Sequence, residues 1–172
     1  MKSKKTIIIL STLALIIVIL ITLIAANISS GENINSRIAT LPAVAFSLMY
    51  GQDFNLQNAR ANAPVLIISF SPDCEHCQRH AAELKKHETQ LANTSIIMIT
   101  RADSITTRNF SLQYELNTMN NVVFLQDNND LFYKTFNLSN IPSMVVYNRH
   151  HNLVKTINGQ VSVEYLLKLL NQ

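Results

Sequence analysis

The stretch PVLIISFSPDCEHC, Pro64 to Cys77, decides how this chain is read. Its first half, Pro64 to Phe70, is an almost wholly apolar run with the length and composition of a buried strand. Ser71-Pro72-Asp73 breaks that run. Cys74-Glu75-His76-Cys77 follows and leads into the amphipathic stretch Gln78 to Leu91. These are the only two cysteines in the 172 residues. Two intervening residues let a thiolate and a second thiol close a disulfide across the first turn of a helix. Strand, sharp loop, C-x-x-C and helix is the order of a thiol–disulfide exchange site.

The chemistry explains the residue types. The thiolate, not the thiol, attacks a disulfide. Unpaired N–H groups and the positive end of a helix dipole favour an anion at a helix start, so Cys74 is expected to ionise readily. A protonated His76 adds a favourable charge, whereas Asp73 and Glu75 oppose it. Asp73 is also the expected N-cap. Cys77, one turn further in, is expected to be the more buried, resolving thiol.

Working outward, the helix is expected to place Cys77, Ala81, Leu84, Glu88 and Leu91 on one face, with His80 and His87 along its border. Further strands are expected at Val44 to Leu48, Phe54 to Leu56, Ser95 to Thr100, Asn121 to Leu125, Ser143 to Tyr147 and Leu153 to Ile157. Tyr50-Gly51-Gln52-Asp53 reads as one hairpin turn, and Asn148 to Asn152 as another. Helices are expected at Ile105 to Leu116, Asp130 to Phe136 and Val163 to Leu170. Alternating strands and helices predict an α/β fold with a partly parallel sheet. Its central runs are continuously apolar, so helices should cover both faces.

The N-terminus has a different character. Residues 6–26 hold no charge and would span roughly 32 Å as a helix, about one bilayer core. Lys2, Lys4 and Lys5 precede them, which puts residues 1–5 in the cytoplasm and everything after Ala26 outside it. Ile24-Ala25-Ala26 is a poor match to a signal cleavage site, so an uncleaved single-pass anchor is expected. Residues 27–40 are polar and read as a linker, followed by one domain over 41–172. Without the three N-terminal lysines, basic and acidic residues are equal at 11 each. No basic block of the kind that binds nucleic acid appears. A disulfide closing so small a loop would stabilise a fold little, so the pair is not a structural staple.

On these residues the chain resembles the thioredoxin-like superfamily, and within it the membrane-anchored TlpA/ResA-type redoxins of bacterial envelopes. The resemblance covers about Leu41 to Gln172. It rests on the early hairpin, the strand–SPDCEHC–helix unit, and Asn140-Ile141-Pro142-Ser143 before a late strand and hairpin. It implies a three-layer α/β/α sandwich with a mixed central sheet, preceded by one transmembrane helix. In such proteins a cis proline faces the dithiol and helps hold the substrate chain. Pro142 matches that position, and Ile141 would offer backbone groups to a partner. The segment between Thr100 and Asn121 resembles the strand–helix insertion of these redoxins. The implied activity is thiol–disulfide exchange in an extracytoplasmic domain, periplasmic in a Gram-negative bacterium. The implied partners are protein thiols and disulfides and a membrane or periplasmic redox partner, with no metal or organic cofactor.

The chain departs from minimal thioredoxins in three ways. It has no tryptophan before Cys74 and no Gly-Pro between the cysteines. Where the family carries a buried acid six positions before the first cysteine, it has Ile68. The histidine between the cysteines resembles oxidising members, while the anchor resembles reducing ones. Two other readings use the same residues. A thiol peroxidase would resemble Thr-x-x-Cys, which Ser71 matches in part. A zinc or copper site would draw on His76 and His80, or on His150 or His151, but a tetrahedral zinc site needs four ligands.

Overall fold

The computed structural model describes residues 4–49 and 51–172, with side chains for residues 8–25, 36–49 and 51–172. Residues 1–3 of the expected cytoplasmic N-terminus and Tyr50 of the first hairpin turn lie outside the described residues. The chain divides into two compact units, residues 1–37 and 38–172.

The first unit is one helix, α1 (Lys4–Ile38), whose last residue belongs to the second unit. Its window Ile8–Ala25 is long and apolar enough to cross a membrane. The few hydroxyls in that window need no outside partner. Ser11, Thr12 and Thr22 donate to the carbonyls of Ile8, Ile9 and Ile19 at 2.9, 2.9 and 2.8 Å, the local pattern that satisfies polar side chains in apolar surroundings. The helix also runs through most of the stretch expected as a polar linker, 27–40. That stretch holds no proline, and Pro42 is the first in the chain, so nothing removes a backbone donor before the helix ends.

The second unit is built on a seven-stranded sheet in the order β2-β1-β5-β4-β3-β6-β7. β1 (Ala45–Leu48) and β2 (Asp53–Asn55) form the first hairpin. β3 (Val65–Ser69), β4 (Ser95–Thr100) and β5 (Val122–Gln126) run parallel in the middle. β6 (Ser143–Tyr147) lies antiparallel to β3, and β7 (Leu153–Asn158) to β6. Every residue of β3, β4 and β6 is buried, as continuous apolar runs require when both faces are covered.

Strand alternation sorts the core into two layers. Leu66, Ile68, Phe70, Ile96, Met98, Met144 and Val146 pack with three helices: α2 (Glu75–Lys86), α4 (Ser104–Gln113) and α6 (Val163–Leu170). The opposite face carries Val65, Ile67, Ile97, Val145 and Tyr147, all buried. There Ser69 meets Tyr133 of α5 (Leu131–Phe136) in a short hydrogen bond. This is the expected three-layer sandwich with a mixed sheet.

Three details differ from the reading of the sequence. The helix expected to reach Leu91 stops at Lys86, and His87 caps it before the short α3 (Glu88–Leu91). The segment between Thr100 and Asn121 forms α4 and a 3-10 turn, Leu116–Thr118, with no extra strand among its described residues. The compact unit also begins before Leu41. Ile38 is 1% exposed, its carbonyl accepts from the buried Tyr147 hydroxyl at 3.0 Å, and the Ala39 carbonyl accepts from Leu153 N at 2.8 Å.

Candidate active site at the start of the second helix

β3 delivers the chain to the site from the middle of the sheet. Phe70 N still donates to Ile99 O at 2.9 Å, and Ser71-Pro72-Asp73 then turns the chain into α2. The turn is closed by Cys74 N donating to Ser71 O at 3.1 Å and by Gln78 Nε2 donating to Pro72 O at 2.8 Å.

Cys74, not the expected Asp73, is the N-cap of α2. Its backbone is extended, with φ −86° and ψ 114°, and Gln78 N donates to its carbonyl at 3.0 Å. Cys77 N donates to its sulfur at 3.3 Å. The cap falls one residue late because Asp73 is spent in the turn, which leaves the sulfur as the side-chain acceptor for the first turn. An N–H aimed at the sulfur stabilises negative charge there.

The second cysteine is different. Cys77 is 2% exposed. Its thiol is pushed up to about 12, first by burial and next by its hydrogen bond with the Cys74 sulfur. Cys74 is half-buried, and both cysteines carry free sulfurs. The site therefore pairs an accessible, capped sulfur with a buried thiol that holds its proton.

The remaining expected residues lie around this pair. Ile141–Pro142 is a cis peptide bond, Pro142 is buried, and Ile141 is 44% exposed. The Ile141 carbonyl lies 4.0 Å from Cys74 Sγ, so the loop before β6 faces the dithiol. Glu75 and His76 are exposed in the first turn of α2. His76 Nδ1 meets Gln160 Oε1 at 2.5 Å and Arg79 Nη2 at 2.7 Å. Ile68 is 1% exposed on β3, so no ionisable side chain stands at that position. Beside the dithiol a cleft of about 480 Å³ is lined by Ser69, Ser71, Arg101, Asp127, Tyr133 and Ile141, among others.

His80 does not border the helix, as expected, but is buried at 4% exposure. Burial pulls its imidazole down to about 4, against a smaller opposing pull from Glu83. Among the described residues its Nε2 meets no hydrogen-bond partner.

The alternative readings find other surroundings. His150 and His151 follow the far end of β6 from Pro142. The metal-ligating side chains gathered among the described residues are Glu83, His87 and Glu164, which include neither cysteine. Lys86 Nζ already lies 3.4 Å from Glu83 Oε2. Ser71 approaches Cys74 through its carbonyl.

Two positioning residues escaped the sequence reading. Asn158, at the end of β7, accepts from Ser139 N and Asn140 N at 3.2 and 2.9 Å and so pins the loop before Pro142. Gln160 holds His76 from the following turn. Both act across long separations, and neither carries a local signature.

The model of the thioredoxin-like domain matches residues 55–172. Among solved structures, the chain is similar to a secreted Mycobacterium tuberculosis disulfide oxidoreductase homologous to E. coli DsbE. That match has 19% identity and a TM-score of 0.62, covering 74% of this chain and 93% of that one. It is similar to MTB DsbF at 17% identity and a TM-score of 0.64, covering 75% and 93%. It is similar to StoA from Bacillus subtilis at 13% identity and a TM-score of 0.56, covering 76% and 98%. No curated protein sequence is significantly similar to it.

Proposed function

The chain belongs to the thioredoxin-like domain family, and on that premise we propose that it is a thiol–disulfide oxidoreductase tethered to the cytoplasmic membrane by residues 6–26, with its domain on the outer side. What supports this reading most is the inequality of the two sulfurs: Cys74 caps α2 and receives an N–H at 3.3 Å, while Cys77 is buried behind it. The similar structures include a disulfide oxidoreductase homologous to DsbE and DsbF in mixed oxidised and reduced forms. The lysines before an uncharged helix support the orientation.

In this mechanism the Cys74 thiolate attacks one sulfur of a partner's disulfide. A Cys74–partner disulfide forms, and the partner's other sulfur leaves as a thiolate. Cys77 then gives up its proton and attacks Cys74 Sγ. The mixed disulfide breaks, the Cys74–Cys77 bond forms, and the partner's second sulfur departs. The partner gains two electrons and the dithiol loses two. With Ile68 where the family carries an acid, the Cys77 proton passes to the departing thiolate or to water. The reverse sequence donates a disulfide. Ile141, exposed beside Pro142, lies where an extended partner segment would pair while its cysteine meets Cys74.

The test is exchange with a protein disulfide. The reduced chain should carry two alkylatable thiols when unfolded, and Cys74→Ser should lose exchange altogether; full activity in that variant refutes the assignment. The redox equilibrium against glutathione sets the direction. A strongly negative potential means a reductase, and a high one a disulfide donor.

A further inference from the structure

Two residues that touch Cys74 also line the cleft of about 480 Å³ beside it. The Ser71 carbonyl accepts from Cys74 N at 3.1 Å, and the Ile141 carbonyl lies 4.0 Å from Cys74 Sγ. The cleft therefore opens next to the attacking sulfur. Its other walls include Ser69, Thr100 and Asp127, at the carboxyl ends of the three parallel strands, and Tyr133 of α5. Helix α2 leaves β3 toward one face of the sheet, and α5 leaves β5 toward the other. In open α/β sheets, ligands bind in the crevice outside the strand ends where connections part in this way. The polar groups here are mostly acceptors. Ser69, Thr100 and Asp127 are 3%, 3% and 6% exposed. The hydrogen bond between Ser69 and Tyr133 uses one of their two hydroxyl hydrogens and leaves oxygen lone pairs over. The charged side chains lining the cleft are Arg101, Asp127 and Asp130. Arg101 is already paired with Asp130, so one negative charge is in excess. Lys134 of α5 is turned to the Asn129 carbonyl at 2.7 Å and does not line the cleft.

We propose that this cleft is a specificity subsite for a basic side chain, lysine or arginine, standing within about two residues of the partner's reactive cysteine. The proposal rests on Cys74 being the attacking sulfur of a thiol–disulfide oxidoreductase, and it adds the class of partner. An ammonium or guanidinium brings only donors, which suit hydroxyl and carboxylate oxygens. A glutamate brings only acceptors to walls that already have a surplus of them, and its charge meets the excess anion. An extended partner lying along Ile141 advances about 3.3 Å per residue, so only side chains close to its cysteine reach the cleft. Asp130 and Arg101 set the preference in opposite senses. Asp130 attracts the visiting cation, and Arg101 competes for Asp130.

The experiment follows the reduced full-length chain, in uncharged detergent, reacting with peptides whose cysteine is joined to nitrothiobenzoate by a disulfide. The Cys74 thiolate attacks the peptide sulfur and nitrothiobenzoate leaves as a thiolate. Cys77 then gives up its proton and displaces the peptide thiol, so the dithiol loses two electrons and the mixed disulfide gains them. Each peptide carries Lys, Gln or Glu at a single position, on one side of the cysteine or the other. Rates are taken relative to those with mercaptoethanol, which removes the side chain's own effect on the disulfide. The lysine peptide should react about two- to fivefold faster than the glutamine peptide, the size of one exposed ion pair, and the glutamate peptide slower. The preference should hold on one side of the cysteine only. Asp130→Asn should bring the lysine-to-glutamine ratio close to one, and Arg101→Gln should raise it. A ratio within one variant does not depend on how much of that variant is active. Equal rates for the three side chains, a faster glutamate peptide, a lysine preference equal on both sides, or a ratio that neither substitution moves overturns the subsite while leaving exchange intact. A wild-type chain that reacts with none of the peptides overturns the subsite together with the reading it rests on.

Discussion

Cys77 holds its proton first through burial, then through its hydrogen bond with the Cys74 sulfur and the charge of that sulfur, and only burial persists through the reaction. Burial is constant. The hydrogen bond with the Cys74 sulfur disappears once that sulfur is bonded to a partner. Cys77 thus resists ionising in the free protein and is released from part of that resistance when it has to attack. In the folded, reduced chain at pH 8, an alkylating reagent should therefore label Cys74 at least about tenfold faster than Cys77, with mass spectrometry of the peptides reading the ratio. Cys77→Ser should let the first step proceed and block the second, so a Cys74–partner disulfide should accumulate on a non-reducing gel. Equal labelling of the two cysteines would contradict the division of roles. The place of the dithiol was legible in its neighbours along the chain, and the placement of Ile141 and Pro142 opposite it followed from the resemblance. Asn158, Gln160 and Tyr133 were not legible, because each acts on a residue 18 to 84 positions away. Asp73 misled for a local reason: an aspartate before a helix is a sound cap candidate, but the helix starts one residue later than its position requires.

At the scale of the element, α2 carries a histidine inside its packed face. His80 is neutral when folded, with its pKa lowered from 6.5 to about 4 by burial. The unfolded chain takes up a proton near pH 6.5 that the folded chain refuses. This contribution to stability is complete above pH 6.5 and is lost as the pH falls toward 4, about one proton and roughly 3 kcal/mol across the window. Urea unfolding midpoints at pH 7 and pH 4.5 should show the loss, and His80→Leu should flatten it; an unchanged slope in that variant would assign the acid sensitivity elsewhere. Helical spacing placed His80 beside the buried stripe of α2 but could not show how far neighbouring elements close over it. The strands were read more securely, since β3, β4 and β6 are unbroken apolar runs bounded by turn residues. The break at His87 was illegible, because amphipathic periodicity continues through it.

At the scale of the molecule, the sequence reads as an apolar N-terminal helix and one domain, and the structure's second unit starts at Ile38. Polar composition suggested that the domain starts at Leu41, yet Ile38 and Ala39 are bound into the second unit. A chain starting at Leu41 should be less stable than one starting at Ser36 by about 2 to 5 kcal/mol, from the lost burial of Ile38 and the orphaned Tyr147 hydroxyl. Chemical denaturation of the two should separate them; equal midpoints would mean that Ile38 contributes nothing. The surroundings of the dithiol have a related dependence on one short segment. Asn158 secures the loop that presents Ile141, and Gln160 secures the first turn of α2, with Gly159 at φ +133° between them. The two borders of the dithiol are thus moored to one three-residue segment. On the proposed function, a partner's chain would meet them as one unit rather than as two independent flaps.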